Sequence, residues 1–181
     1  ITKINTNSLA FLFEENNLKV NKLPIDFVGK LDFLKNGYDL DFKVNSNETS
    51  LHNFITAFPP EFLQWMEHTD IKGDVNFKAA LIGQYIAETG TMPGFSMNLG
   101  IRDGYIANKN TPEPLKKLFL NFETRLPGFN MDSLYVNVDS IYGNVGKDYL
   151  SAICLVKGLN KPEIHAKLNG EMDLEKWQSA V

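Results

Sequence analysis

Apolar and polar residues alternate along most of this chain, the period-two pattern that puts successive side chains on opposite faces of a half-buried antiparallel strand. Phe27, Leu31 and Phe33 begin it. The turn-forming Lys35-Asn36-Gly37 then precedes Tyr38, Leu40, Phe42 and Val44, which alternate with Asp39, Asp41 and Lys43, so residues 27–44 read as a hairpin. Further strands follow at Ile71, Val75, Phe77 and Ala79, at Phe95, Met97, Leu99 and Ile101, and at Leu118, Leu120, Phe122, Thr124 and Leu126. Leu134, Val136 and Val138, then Tyr149 to Val156, then Ile164, Ala166 and Leu168 through Leu174 complete the series. The count is about nine strands, with an additional weak one near Leu9 to Phe13.

One segment departs from this period. Leu51, Phe54, Ile55 and Phe58 fall at i, i+3, i+4 and i+7, the stripe of an amphipathic helix, with Thr49 or Ser50 placed to cap its N-terminus. Pro59-Pro60 ends it and opens a second helical turn, whose first turn holds Glu61 and whose apolar side is Phe62, Leu63, Trp65 and Met66. Phe54, Phe58, Phe62 and Trp65 are therefore expected to be buried as a cap over the sheet.

These elements predict a mainly β fold: a long curved antiparallel sheet, as a groove, a partly open barrel or a sandwich-like arrangement, with a short helical insertion near residues 50–67. The pattern apolar-x-Gly-x-apolar recurs around Gly29, Gly73 and Gly170, where glycine inside a strand marks a bulge or bend that lets a long sheet curl. Asp103-Gly104 reads as a bulge or turn between extended segments. All 181 residues fit one β-rich module, and the first residue being Ile gives the chain the look of a piece excised from a longer parent.

Composition narrows the chemistry. With 43% hydrophobic and 22% charged residues the chain is that of an ordered protein. Lys and Arg number 18 against 22 Asp and Glu, and Lys116-Lys117 is the only adjacent basic pair, so nucleic acid is not an expected partner. Cys154 is the single cysteine, which rules out an intrachain disulfide; within its alternating run it reads as a small buried hydrophobe. No apolar run approaches the roughly 18 residues needed to span a bilayer as a helix.

Catalytic motifs are missing. His52, His68 and His165 lack the i, i+3 or i, i+4 spacing of paired metal ligands. Neither a Gly-x-Ser-x-Gly elbow nor a Ser-x-x-Lys arrangement occurs. Asp39 and Asp41 share a sheet face, but among alternating apolar residues they read as a solvated outer surface. Gly100-Ile101-Arg102-Asp103-Gly104 is not followed by the helix that a phosphate loop requires. No enzyme activity, metal or cofactor is expected.

What remains is physical. Phe95, Met97, Leu99, Leu120, Phe122, Leu134, Val136 and Val138, with Phe129 nearby, are large apolar residues on neighbouring segments. About nine strands exceed what two short helices can cover, so the sheet must close on itself, bind lipid or pack against further protein.

The order of features resembles the periplasmic portion of AsmA-family proteins, particularly those of Bacteroidetes-type bacteria. Over roughly residues 38–177 the resemblance runs through Tyr38-Asp39-Leu40-Asp41-Phe42, the helix at Ser50-Leu51-His52-Asn53-Phe54-Ile55, Phe58-Pro59-Pro60-Glu61-Phe62, Ile71-Lys72-Gly73-Asp74-Val75 and Leu81-Ile82-Gly83-Gln84-Tyr85. It continues with Met92-Pro93-Gly94-Phe95, Asp103-Gly104-Tyr105, Pro114-Leu115, Leu120-Asn121-Phe122, Ile141-Tyr142-Gly143-Asn144 and Leu168-Asn169-Gly170-Glu171-Met172-Asp173-Leu174. No single piece is diagnostic; the succession carries the likeness.

The resemblance implies a periplasmic module of a protein that is anchored in the inner membrane through a segment outside this sequence and serves outer-membrane biogenesis. Its implied mechanism is passive: acyl chains of a phospholipid or other envelope lipid lie on an apolar β-surface while headgroups stay in water. The remainder of the parent chain is the other implied partner. The alternative reading is a structural or carbohydrate-binding β-module of a secreted or surface protein.

Overall fold

The computed structural model describes residues 2–5 and 9–173. Ten strands form one antiparallel sheet in which each strand pairs only with its neighbours in sequence, and the sheet is not closed. The strands are β1 (Thr2–Asn5), β2 (Ala10–Val20), β3 (Leu23–Leu34), β4 (Gly37–Ser50), β5 (Thr69–Ile86), β6 (Gly94–Asn108), β7 (Leu115–Leu126), β8 (Tyr135–Val145), β9 (Asp148–Lys157) and β10 (Glu163–Glu171). Helix α1 (Leu51–Ile55) follows β4 directly.

The expected hairpin is present: Leu34 pairs with Gly37, leaving Lys35-Asn36 as a two-residue turn. The weak strand near Leu9 becomes β2, which runs to Val20, and the strand begun at Ile71 runs to Ile86 because Leu81, Gly83 and Tyr85 keep its alternation. Strand β1 was not anticipated; four residues carry too little period-two signal to register in the sequence. Leu174 and Trp177 lie outside the described residues.

The helical insertion is smaller than its pattern suggested. Ser50 caps α1, its hydroxyl accepting from the Asn53 N–H at 3.1 Å, but α1 is only five residues long. The Thr56 hydroxyl donates to the carbonyls of His52 and Asn53, and beyond the Pro59-Pro60 break there are just two short 3-10 turns, Pro60–Phe62 and Gln64–Met66. So few residues cannot stand as a helix alone. Packing holds α1: Leu51 is 2% exposed and sits with Ile71, Val75 and Ile101, surrounded by Phe54, Ile55, Phe77, Leu99, Leu118 and Leu120.

Bulges explain how strands on either side of that cluster reach it. Two residues oppose one in β4 at Asn47-Glu48, in β6 at Asp103 next to Gly73 of β5, in β7 at Lys117-Leu118 and in β8 at Asp139-Ser140. A bulge bends its strand and tightens the local twist. Ile71 and Ile106 lie beyond these bulges and Val75 and Ile101 before them, yet all pack in one place with α1. The sheet bends over the helix along this line.

Of the three glycines in the recurrence, Gly73 sits opposite the Asp103-Gly104 bulge. Its φ of 125° is open to glycine alone, and a Cβ there would stand 2.7 Å from the Cα of Gly104. Gly29 is in register with β4 but flanks the bulge of β2 at Glu14-Glu15, and Gly170 sits in unbroken register with β9. Glu15, Glu48 and Lys117, and Asp103 opposite Gly73, have φ near 50° and supply left-handed residues at the bulges of β2, β4, β7 and β6. The Asp103-Gly104 bulge is as expected.

The core is slight. Leu23, Leu51, Ile71, Val75 and Ile101 are the buried hydrophobic side chains among the described residues. The accessible surface is 12236 Å², where a compact protein of 20.4 kDa has about 8,800 Å². Truncating Leu51 to Ala should therefore remove about 3 kcal/mol, a large fraction of the stability. The same change at Leu168, 66% exposed on β10, should stay within about 0.5 kcal/mol. Urea unfolding of both variants checks this.

Candidate functional site

Directly paired residues in an antiparallel ladder point to the same face, so the register converts the alternation into a surface. One row runs across nine strands: Asn16, Phe27, Val44, Ala79, Met97, Thr124, Val136, Val156 and Ile164. On the α1 side the adjoining row is Ser46, Phe77, Leu99, Phe122, Val138, Cys154 and Ala166. On the far side it is Phe13, Gly29, Phe42, Leu81, Phe95 and Leu126.

The middle row mixes the smaller side chains of Val44, Ala79, Thr124 and Val136 with the larger Phe27 and Met97, and its neighbours carry Phe77, Leu99 and Phe122 on one side and Phe42, Leu81 and Phe95 on the other. The three rows together make an apolar surface running across the strands. Thr124 does not make it polar, because its hydroxyl donates to the Tyr135 carbonyl at 3.0 Å. Gly29 belongs to the design of the far row: a Cβ there would collide with the ring of Phe42, which lies across it. Phe13 stacks at 5.7 Å against both Phe27 and Phe42.

Seven of the eight sequence-predicted groove residues thus share one face: Phe95, Met97, Leu99, Leu120, Phe122, Val136 and Val138. Leu134 is not in a strand; it follows the 3-10 turn Met131–Ser133, and its carbonyl accepts from the Gly158 N–H at 2.7 Å. Phe129 also leaves the sheet, in the turn Pro127–Phe129. What the sequence analysis missed is the β2–β4 part of the same face, Phe11, Phe13, Phe27, Leu31, Leu40 and Phe42. Each alternates locally, but only the register joins them to Phe95 and Phe122.

The cap is narrower than expected. Phe54 packs on Phe77, ring centroids 5.5 Å apart, and so covers the end of the face near Val75. Phe58 packs edge-on against Phe54, ring centroids 5.5 Å apart, but stays 49% exposed, and Phe62 is 67% exposed, because the chain leaves the helix before reaching them. The side chain of Trp65 is outside what is described.

The opposite face is charged. Pairs two residues apart on one strand meet there: Lys30 with Asp32, Lys43 with Asp41 at 3.0 Å, Lys72 with Asp70 at 2.7 Å, and Arg125 with Glu123 at 2.6 Å. Hydrogen bonding to the neighbouring carboxylate raises the pKa of Lys30, Lys72 and Arg125. All are solvent-facing, so such pairs keep the face wet and contribute little stability. A hollow of about 650 Å³ lies among β2 to β6, lined on this face by Asn17, Asp26, Val28, Lys43, Asn45, Lys78, Ala80, Ser96 and Asn98. A smaller one of about 240 Å³ on the apolar face lies between Leu115, Leu118, Ile141 and Leu150.

The titratable groups do not converge. His52, His68 and His165 are exposed on separate elements, Asp39 and Asp41 lie on the charged face, and Cys154 is half-buried in the apolar row. Among the described residues no group of three His, Cys, Asp or Glu side chains could hold a metal ion, and no helix is long and apolar enough to cross a membrane. No family model, curated protein or solved structure matches the chain.

One ion pair yields a pH test. A hydrogen bond from His165, then the charges of Lys157 and His165, hold the Glu163 carboxyl below its ordinary value of 4.5. A depressed carboxylate stabilises the fold above its unfolded pKa and ceases to do so as pH falls through the folded one. Glu163→Gln should therefore lower the melting temperature slightly at neutral pH. That difference should vanish in acid and in high salt, because the pair is exposed. Melting curves of both proteins across pH give the comparison.

Proposed function

We propose that this chain is a non-catalytic module of an AsmA-like envelope protein and that it holds or passes lipid acyl chains along its apolar face. The observation that carries the reading is the apolar face that runs across most strands of the sheet, over which, among the described residues, α1 packs at one end. An uncovered apolar surface of this extent demands an occupant, since soluble proteins rarely leave more than a few hundred square ångströms of contiguous apolar surface in water.

An acyl chain suits this apolar surface physically. It is a flexible apolar strand that gains roughly 0.8 kcal/mol for each methylene removed from water, with no directional bond to satisfy. The rows cross strand after strand, so a chain lying along them meets aliphatic and aromatic side chains over much of its length. Headgroups would remain at the rim in water, and the reading places the module in the periplasm, attached to the inner membrane through another part of the parent chain, with a phospholipid or other envelope lipid as its partner.

The carbohydrate-binding alternative has one observation in its favour, the amide- and ammonium-lined hollow on the charged face. Its single aromatic, Phe27, belongs by register to the other face. A sugar platform would present rings there.

Native mass spectrometry and lipid extraction test the proposal on the purified chain, with Met97→Asp and Phe122→Asp set against the charged-face control Asn98→Asp. Wild type and N98D should carry lipid and the two apolar-face variants should lose it while keeping their β-sheet circular dichroism. Occupancy should also slow reaction of a maleimide with Cys154, which lies in the Phe122 row. Lipid-free wild-type protein, with Cys154 equally reactive before and after adding phospholipid vesicles, would refute the reading.

A further inference from the structure

Three hairpin connections at the end of the sheet far from α1 lock into one platform. They are residues 87–93 between β5 and β6, 127–134 between β7 and β8, and 158–162 between β9 and β10. The first is closed at its base, where Ile86 and Thr91 exchange backbone hydrogen bonds at 3.0 and 3.1 Å. It touches the second, since a Cβ on Gly128 would lie 3.7 Å from the Met92 carbonyl oxygen. The second and third are joined by the Gly158 N–H donating to the Leu134 carbonyl at 2.7 Å, the Leu159 N–H to the Met131 carbonyl at 2.9 Å, and the Asn160 amide to the Asp132 carboxylate at 2.8 Å.

The platform displays apolar side chains. Met92, Phe129, Met131 and Leu159 are between 38% and 54% exposed. Glu88, Asp132 and Lys161 are the only charged residues in the three connections, and Asn160 already engages Asp132. Phe129 has a φ of 50°, in the left-handed region that is costly for a bulky side chain. Packing within the chain does not account for strain held under an exposed ring, so the strain points to a use for that ring beyond the fold. Pro93 leads through Gly94 to Phe95, and Pro127 follows Leu126, so the platform is continuous with the apolar rows. At the opposite end Phe58 and Phe62 instead share their surroundings with Glu61 and Glu67 and with Lys22 and Lys109, whose turns are tied there by the bonds Asn21 to Thr56 and Lys109 to His68.

We infer that the platform seats this module on a zwitterionic phospholipid bilayer, with Met92, Phe129, Met131 and Leu159 entering the boundary between headgroups and acyl chains. The choice of a bilayer rests on the lipid reading above and on two features of the platform itself. So few charges give no electrostatic pull toward acidic surfaces, which leaves burial of apolar area as the source of binding. The three connections also contain no Trp, Tyr or Arg, the side chains that anchor most protein partners. Docking in this way brings the rows at Phe95 and Leu126 up to the acyl chains of the bilayer without a passage through water. A strand added beside β1 or β10 would lengthen this row of connections rather than cover it.

Flotation of the whole chain with phosphatidylcholine vesicles tests the inference, read beside melting temperature and native mass spectrometry. Phe129→Asn removes the ring and relieves the backbone, because Asn tolerates the left-handed region. It should raise the melting temperature yet lower vesicle partition about tenfold, the effect of one apolar side chain no longer leaving water. Leu159→Asp should lower partition at least as much, whereas Ile153→Asp, similarly exposed but on the charged face opposite Lys167, should leave it unchanged. Partition should persist in about 1 M salt, where attraction between charges is screened. Wild type that does not float, partition lost in salt, partition unchanged in both Phe129→Asn and Leu159→Asp, or a dimer of the free chain that these substitutions dissolve would overturn the inference. Wild type that carries extracted lipid but does not float refutes docking and spares the lipid reading; wild type that floats yet carries none refutes the lipid reading and spares docking.

Discussion

A sheet in which every strand pairs only with its sequence neighbours draws nearly all its long-range order from one source, the antiparallel hydrogen-bond ladder. Here that ladder crosses ten strands without closing and without a second layer. The usual division of labour, in which a buried core stabilises and the ladder orders, is shifted toward the ladder, since few apolar side chains are buried. Cross-strand contacts between half-buried side chains must make up the difference. The rings of Phe13, Phe27 and Phe42, and those of Phe33, Tyr38 and Tyr85 farther along, are that kind of contact.

From this constraint follows the feature with functional meaning. An open single sheet with one apolar face leaves that face in need of a covering. Helix α1 supplies a covering at one place only, where bulges bend β4 to β8 and bring residues from both sides of the bend onto Leu51. The bulges of β4, β6, β7 and β8 lie near α1 and bend the sheet over it, while the rows from Met97 to Phe95 remain half-buried. The β9–β10 register, by contrast, is free of bulges.

The reading from sequence was most accurate where the chemistry is local. Alternation placed the strands around Tyr38, Ile71, Phe95 and Leu120, a two-residue turn placed the first long hairpin, and Asp103-Gly104 was recognisable as a bulge from its turn-forming residues. It was least accurate where a local pattern met a non-local limit. Phe54 and Phe58 share one helical stripe, yet α1 ends between them, because nothing in the sheet receives a second turn. Leu134 alternates with Val136 and Val138, yet its carbonyl is held by Gly158 outside the strand. The charged pairs such as Lys43 with Asp41 were in plain view as i, i+2 spacing, but pairing them requires knowing that the segment is extended.

By itself the sequence determined the class of fold and the segregation of apolar from charged side chains, since period-two alternation is a property of consecutive residues and survives whatever the strands pair with. Only the tertiary structure decided that the faces of nine strands join into one surface, and that Phe27, Val44, Ala79, Met97, Thr124 and Val136 stand in one row of it. Those depend on register. A shift of a single residue in any pairing would turn that strand's apolar set to the other face, and the pairings themselves are contacts between residues on different strands that no run of consecutive residues contains.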